Sequence, residues 1–201
     1  DLHSFPTRRS SDLGNSRFDE KRLLWLNGAH IRNIPVDKLY DYVSPWDDNP
    51  QKDGRQTGFW PESAYAPNIT KEYRMKVLAL AQDRLKMFED LRGFGYFFAE
   101  PKINLELIDS NKQLKKLSDS ERRELLETAR AELAKLADWT PESIQNCLNK
   151  LLEITGQKPG ILFSLIRIAA TWAPFSPQLN DTLALIGKEK TLRRLDTYLN
   201  Y

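Results

Sequence analysis

Apolar residues recur along this chain at spacings of three and four, window after window, a period that fits helices and little else. Tyr73, Val77, Leu80, Ala81, Leu85, Phe88 and Leu91 follow one such pattern, with Lys71, Arg74, Asp83, Arg84 and Lys86 toward other faces. Leu125, Leu126, Ala129, Leu133 and Leu136 form a second stripe, Ile144, Leu148, Leu151 and Leu152 a third, and Leu192, Leu195 and Leu199 a last one. Helix punctuation brackets these stripes. Asp19 is placed to accept hydrogen bonds from free first-turn amides, and Ser118 with Glu121 forms a capping box. Thr140-Pro141-Glu142 combines a capping hydroxyl, a proline where no donor is needed and a carboxylate at the positive helix end. Gly156 and Gly187 supply stops. The pattern predicts an all-α chain. A long helix should run from Thr70 to Gly93, a short one should open with Pro35 at its first position and end at Pro45, and later helices should cover 119–137, 177–186 and 188–199. An extended piece is expected at 103–108.

Composition narrows the chemistry. With 40% hydrophobic and 29% charged residues, 201 residues can bury a core as one domain or two small ones. No apolar run reaches the ~18 residues needed to span a bilayer. Cys147 is the sole cysteine, so disulfides are excluded and it reads as core filler. His30 is the only histidine besides His3, which leaves zinc sites and histidine-dependent triads almost nothing to build on. A formal charge of +2 permits nucleic-acid binding without requiring it. Residues 1–13 back-translate in frame to a short-read sequencing adapter; they are expected to be disordered and foreign to the fold, with the true chain continuing upstream of Gly14. Residues 46–68 shift to Asp, Asn, Gly and Pro, a long loop whose Trp46, Phe59, Trp60 and Tyr65 either anchor it to the core or stack on bases.

Three stretches carry a family resemblance. Phe18, Asp19, Leu23, Trp25, Asn27, Ile31 and Arg32 match F-D-x-x-K-L-x-W-x-N-x-x-Y-I-R, with Arg22 for Lys and His30 for Tyr. Arg84-Leu85-Lys86-Met87-Phe88 followed by Tyr96-Phe97-Phe98 matches an arginine-led stretch and an aromatic knot. Gly160 to Trp172, with Arg167, Ala169 and Thr171 in register, is followed by Ser176-Pro177-Gln178-Leu179, then Gly187-Lys188-Glu189 and Leu192-Arg193-Arg194-Leu195. Leu165, Trp172 and Ser176 depart from the usual Pro, Gly and Gly. Together these resemble the C-terminal anticodon-binding region of bacterial-type glutamyl-tRNA synthetase, a class I enzyme. The resemblance implies a two-subdomain helical cage, with subdomains expected at 14–115 and 116–201, whose Rossmann-type catalytic domain is missing. It also implies a cytoplasmic protein, away from membranes, whose partners are the anticodon arm of tRNA-Glu and the missing N-terminal catalytic domain.

The parent enzyme attaches glutamate to tRNA with ATP and magnesium, whereas no cofactor is expected in this fragment, which should be inactive alone. Lys116-Leu117-Ser118-Asp119-Ser120 looks like a K-M-S-K-S nucleotide loop, but Asp119 stands where a lysine would meet phosphate, so the capping-box reading is preferred. RNA-binding residues implied are Arg84, facing a cytosine at the third anticodon position, and Arg167, Lys188, Arg193 and Arg194. Arg167 lies in an apolar stretch and must reach a carboxylate, helix carbonyls or a phosphate; Arg193 and Arg194 are expected to face away from the core. A free-standing tRNA-binding domain, or a helical adaptor that binds proteins through its Trp/Tyr-rich loop, are the alternatives.

Overall fold

The computed structural model describes residues 19–44 and 58–201. Within them lie nine α-helices and no strand. No described helix is long and apolar enough to cross a membrane. The reading of residues 1–13 and the placement of Pro45 and Trp46 lie outside the described residues.

Helix α1 (Glu20–Asn33) opens where expected, with the Asp19 carboxylate accepting from the Arg22 amide at 3.1 Å. It packs through Gly28 and Ile31. A Cβ on Gly28 would lie 3.2 Å from the Leu85 carbonyl oxygen, so glycine permits the close approach of helix and chain. Helix α2 (Val36–Val43) follows; Pro35 is its N-cap and not its first residue. Trp60 is 1% exposed and donates to the Ser44 hydroxyl at 2.7 Å, while Arg74 reaches the Tyr40 hydroxyl and the Ala64 carbonyl. The described end of the long loop is thereby anchored to the core.

Helix α3 (Lys71–Ala81) starts at the Thr70 cap but stops well short of Gly93. A 3-10 turn (Gln82–Arg84) and an extended Leu85 interrupt it, and a second 3-10 stretch (Phe88–Phe97) is kinked at Phe94. Distant partners account for the break. Gln82 is buried, and its amide donates to the Ile31 and Ile34 carbonyls at 2.8 and 2.7 Å, satisfying acceptors at the end of α1. The Asp90 carboxylate takes up the Lys86 and Met87 amides, which a continuing helix would have used. Val77, Leu85 and Leu91 still reach the core, so the apolar stripe survives although the helix does not.

Helix α4 (Glu106–Ser110) takes up the second half of the piece expected to be extended; the Asn104 side chain accepts from the Glu106 amide and favours the turn. Helix α5 (Asp119–Ala134) opens with the complete capping box: the Glu121 amide donates to the Ser118 hydroxyl at 3.2 Å and the Ser118 amide to the Glu121 carboxylate at 2.7 Å. Helix α6 (Pro141–Thr155) is capped by Thr140 and ends on Gly156 at φ +63°. Helix α7 (Pro159–Thr171) ends on Trp172, left-handed at φ +46°, a strained conformation for a non-glycine residue, and its ring stacks on Tyr198. Helices α8 (Leu179–Ile186) and α9 (Lys188–Leu199) meet at Gly187.

Two hydrophobic cores result. One gathers Ile31, Leu39, Val43, Trp60, Val77, Leu85, Leu91 and Phe97, and borrows Ala173 and Ile186 from the C-terminal half. The other gathers Leu126, Leu133, Ile144, Leu148, Leu162, Leu165, Leu183 and Leu195, and takes in Ile108, Leu114 and the free Cys147.

Candidate nucleic-acid interface

The seam between the cores is where the arginines congregate. Arg194 corrects an expectation: it is 3% exposed and turns inward. Its guanidinium donates to the Tyr96 and Ala170 carbonyls at 2.9 Å, to the Ala99 carbonyl at 3.2 Å and to the Glu100 carboxylate at 3.1 Å. A helix wheel places it off the leucine face, but the first core's 96–100 segment packs against that side of α9 and supplies acceptors. Arg193 is exposed and pairs with the other Glu100 oxygen. Burial pushes the Glu100 carboxyl up, yet the charge of Arg194 and hydrogen bonds from both arginines outweigh it, holding the carboxyl below the usual range. The Lys188 ammonium, half-buried at the start of α9, donates to the Leu136 carbonyl at 2.7 Å. Arg194 and Lys188 are thus committed to the protein's own carbonyls.

Arg84 and Arg167 behave differently. Arg84 is exposed on the 3-10 turn after α3, and Arg167 is half-buried on α7. Among the described residues neither has a carboxylate within ion-pair distance. Arg167 donates through Nε to the Ser176 hydroxyl at 2.8 Å, and that hydroxyl donates onward to the Pro177 carbonyl at 3.0 Å. Burial, and then the like charge of nearby Arg84, lower the Arg167 pKa, with partial relief from Tyr96. A half-buried guanidinium facing a second cation with only a hydroxyl as partner is short of negative charge. The Tyr96 hydroxyl is buried without a hydrogen-bond partner. Phe175, next in sequence to Ser176, is 47% exposed, its ring 5.9 Å from that of Phe94. A guanidinium short of negative charge suits a phosphate or a splayed base.

The structure therefore gathers Arg193 and Arg194 on Glu100, leaves Lys188 apart, and sets Arg84 near enough to Arg167 for its charge to be felt there. Glu100, Phe175 and Ser176 escaped sequence reasoning as site residues. Only Ser176 left a trace, as a departure from glycine in the resembled pattern. The Lys116–Ser120 segment does not fit a nucleotide: the Ser118 hydroxyl is tied to Glu121, and the Asp119 carboxylate pairs with Arg122 and Arg123. No group of His, Cys, Asp and Glu able to hold a metal is assembled among the described residues.

Comparison with known proteins adds an independent line. Residues 38–199 match the family model described as anticodon binding domain. A glutamate–tRNA ligase of Roseiflexus castenholzii is 31% identical over 192 residues, covering 92% of this chain and 34% of that protein. One from Alkalilimnicola ehrlichii is 30% identical over 186 residues, covering 92% of this chain and 36% of its own length. The chain thus spans about a third of the length of the curated relatives it matches. A solved glutamate tRNA ligase from Elizabethkingia meningosepticum, in complex with its amino acid, shares the fold with a TM-score of 0.65 at 18% identity, over 91% of this chain and 32% of that one.

Proposed function

This chain belongs to the anticodon binding domain family, and from that premise we propose that it is the anticodon-reading part of a glutamate–tRNA ligase. Its partner is the anticodon arm of tRNA-Glu. The observation that carries this is the Arg84–Arg167 pair, two neighbouring guanidiniums on opposite cores with no carboxylate to neutralise them. Unstacked loop bases are the usual sequence-specific target on RNA, and a guanidinium donates to both O2 and N3 of cytosine. Arg84, exposed on its turn, reads the third anticodon base, and Arg167, oriented by Ser176, meets base or phosphate from the other wall. Arg193 contributes at most a rim charge because Glu100 already pairs with it. The two cores support a division into two helical subdomains, with Ile108 and Leu114 packed on the C-terminal side.

Joining glutamate to tRNA with ATP and magnesium is assigned to a catalytic domain elsewhere in the parent polypeptide, and no step of it is routed through these residues. Membership of this family favours RNA over a protein-adaptor role, and the anchoring of Trp60 removes the most aromatic part of the described loop from a docking surface.

The test is binding of a tRNA-Glu anticodon stem-loop and its third-base variants by fluorescence anisotropy. Wild type should prefer cytosine at that position, and Arg84→Ala should lose the preference along with on the order of 1–3 kcal/mol of affinity. An Arg84→Ala protein that keeps the original preference overturns the assignment. The purified chain should show no glutamate-dependent ATP–pyrophosphate exchange.

A further inference from the structure

The connection between the two cores brings lysines to α7. Lys112, Lys115 and Lys116 are exposed on the turn before α5, and Lys158 is exposed at the N-cap of α7. Among the described residues none of the four has a carboxylate within ion-pair distance. The turn itself is anchored. Leu114 is buried in the second core, and the Asn111 side chain accepts from the Gln113 and Leu114 amides at 3.0 and 3.1 Å. A Cβ on Gly160 would lie 2.6 Å from the Gln113 amide oxygen, so glycine lets the turn sit this close to α7. Residues i and i+3 eclipse in a 3-10 turn, which sets Lys116 above Gln113 and over the start of α7.

Gly160 also lies on the stripe that carries Arg167. The two residues are two helical turns apart, so they share one face about 10 Å long. Burial marks that face as the open one: Gly160 is exposed and Ser164 and Arg167 are half-buried, whereas Leu162, Leu165, Ile166 and Ala169 are buried. The connection's acidic residues stand elsewhere. Asp109 lines a cavity with Asp119, Arg122, Arg123 and Tyr198 to which α7 contributes no residue. Glu106, three residues before Asp109, shares that side of α4.

We infer that Lys112, Lys115, Lys116 and Lys158 bind backbone phosphates of the RNA strand whose base meets Arg167, extending the anticodon site along the open face of α7. The inference rests on reading the chain as an anticodon-binding region. Charge selects the occupant. An ammonium on a flexible stem serves phosphate as a point charge, and phosphate contacts position a strand without reading its sequence. About 10 Å of face accommodates more than one phosphate, at ~3.4 Å of axial rise per nucleotide in a helical strand. A membrane surface fits less well, because the turn's apolar side chains, Leu114 and Leu117, pack on the second core and leave nothing to insert.

The experiment measures binding of a tRNA-Glu anticodon stem-loop across a salt series, for the wild-type chain and for Lys112→Gln/Lys115→Gln/Lys116→Gln. All three side chains are exposed, so the variant should keep the wild-type melting temperature. It should bind roughly tenfold more weakly at ~0.1 M salt, and the slope of log Kd against log salt should fall by about two to three. Each single substitution, Lys158→Gln included, should lower the slope by about one, and preference for cytosine at the third anticodon position should be unchanged. Methylphosphonates placed singly along the stem-loop should weaken wild type at adjoining positions and leave the triple variant indifferent there. An unchanged slope overturns the proposal, as does an equal fall in Lys21→Gln/Lys38→Gln/Lys76→Gln, which removes the same charge from the first core's helices. An altered base preference equally overturns it, since the lysines would then read bases. Binding to phosphatidylserine vesicles that the triple substitution abolishes, with stem-loop affinity unmoved, assigns the lysines to a membrane surface and also overturns it. A wild-type chain that binds no stem-loop refutes the proposed function itself, whereas binding with an unmoved slope leaves that function standing and removes the lysines alone.

Discussion

Two arginine pairs stand along the same seam with opposite electrostatics. Arg193 and Arg194 converge on Glu100, and Arg194 adds three backbone carbonyls, so that pair is neutralised and one member is sealed inside. Arg84 and Arg167 come from different cores and find a serine hydroxyl, with no carboxylate among the described residues. Residue type is the same in both places, and what surrounds it assigns the role. A guanidinium whose donors are saturated by the protein is a structural cross-link, whereas one left beside another cation still lacks a negative partner.

The contrast is sharpest where the neutralised pair is broken. Arg194→Ala should cost about 3 kcal/mol in urea unfolding, because it strands buried carbonyls and removes a bond between the two cores. Arg194→Lys should recover little, since an ammonium cannot reach acceptors spread over a planar fork. A stability within error of wild type would erase the distinction between the pairs. Next in size, Arg84→Ala should lose on the order of 1–3 kcal/mol of stem-loop affinity while leaving the unfolding midpoint unchanged. Loss of stability instead of affinity would place Arg84 with the structural arginines.

Acid titration probes the neutralised pair from the other partner. The Glu100 pKa is depressed in the fold, so its contribution is fully present above the ordinary value of 4.5 and is lost as pH falls through the lower folded value. Glu100→Gln should flatten stability against pH in that window, and an unchanged slope would remove Glu100 from the account. The smallest effect belongs to Arg193→Ala. As an exposed partner it should cost less than ~0.5 kcal/mol of stability, leave base preference intact and lower stem-loop affinity only slightly.

Much of the secondary structure was readable in advance because its signals are local. Asp19, Ser118 with Glu121, and Thr140 each bond an amide three residues away, Thr70 starts its helix, Gly156 takes the expected left-handed stop, and Gly187 ends α8 as expected. The long helix from Thr70 failed for the complementary reason. Its apolar stripe is real, but Gln82 forms its bonds with carbonyls 51 and 48 residues earlier in the chain, and nothing in the local spacing records that. Trp172 is an intermediate case. The residue that departs from glycine still takes the left-handed conformation, with its ring stacked on Tyr198.

The candidate site divides along the same line. Sequence by itself determined that the chain is helical, where most helices begin, and that arginines at 84, 167, 193 and 194 were worth testing. Only the tertiary structure decided which of them the protein's own acceptors satisfy. Capping and periodicity are settled within one or two helical turns, so a linear pattern contains them. Whether a guanidinium is satisfied depends on acceptors brought from elsewhere, and for Arg194 those lie up to 98 residues distant along the chain.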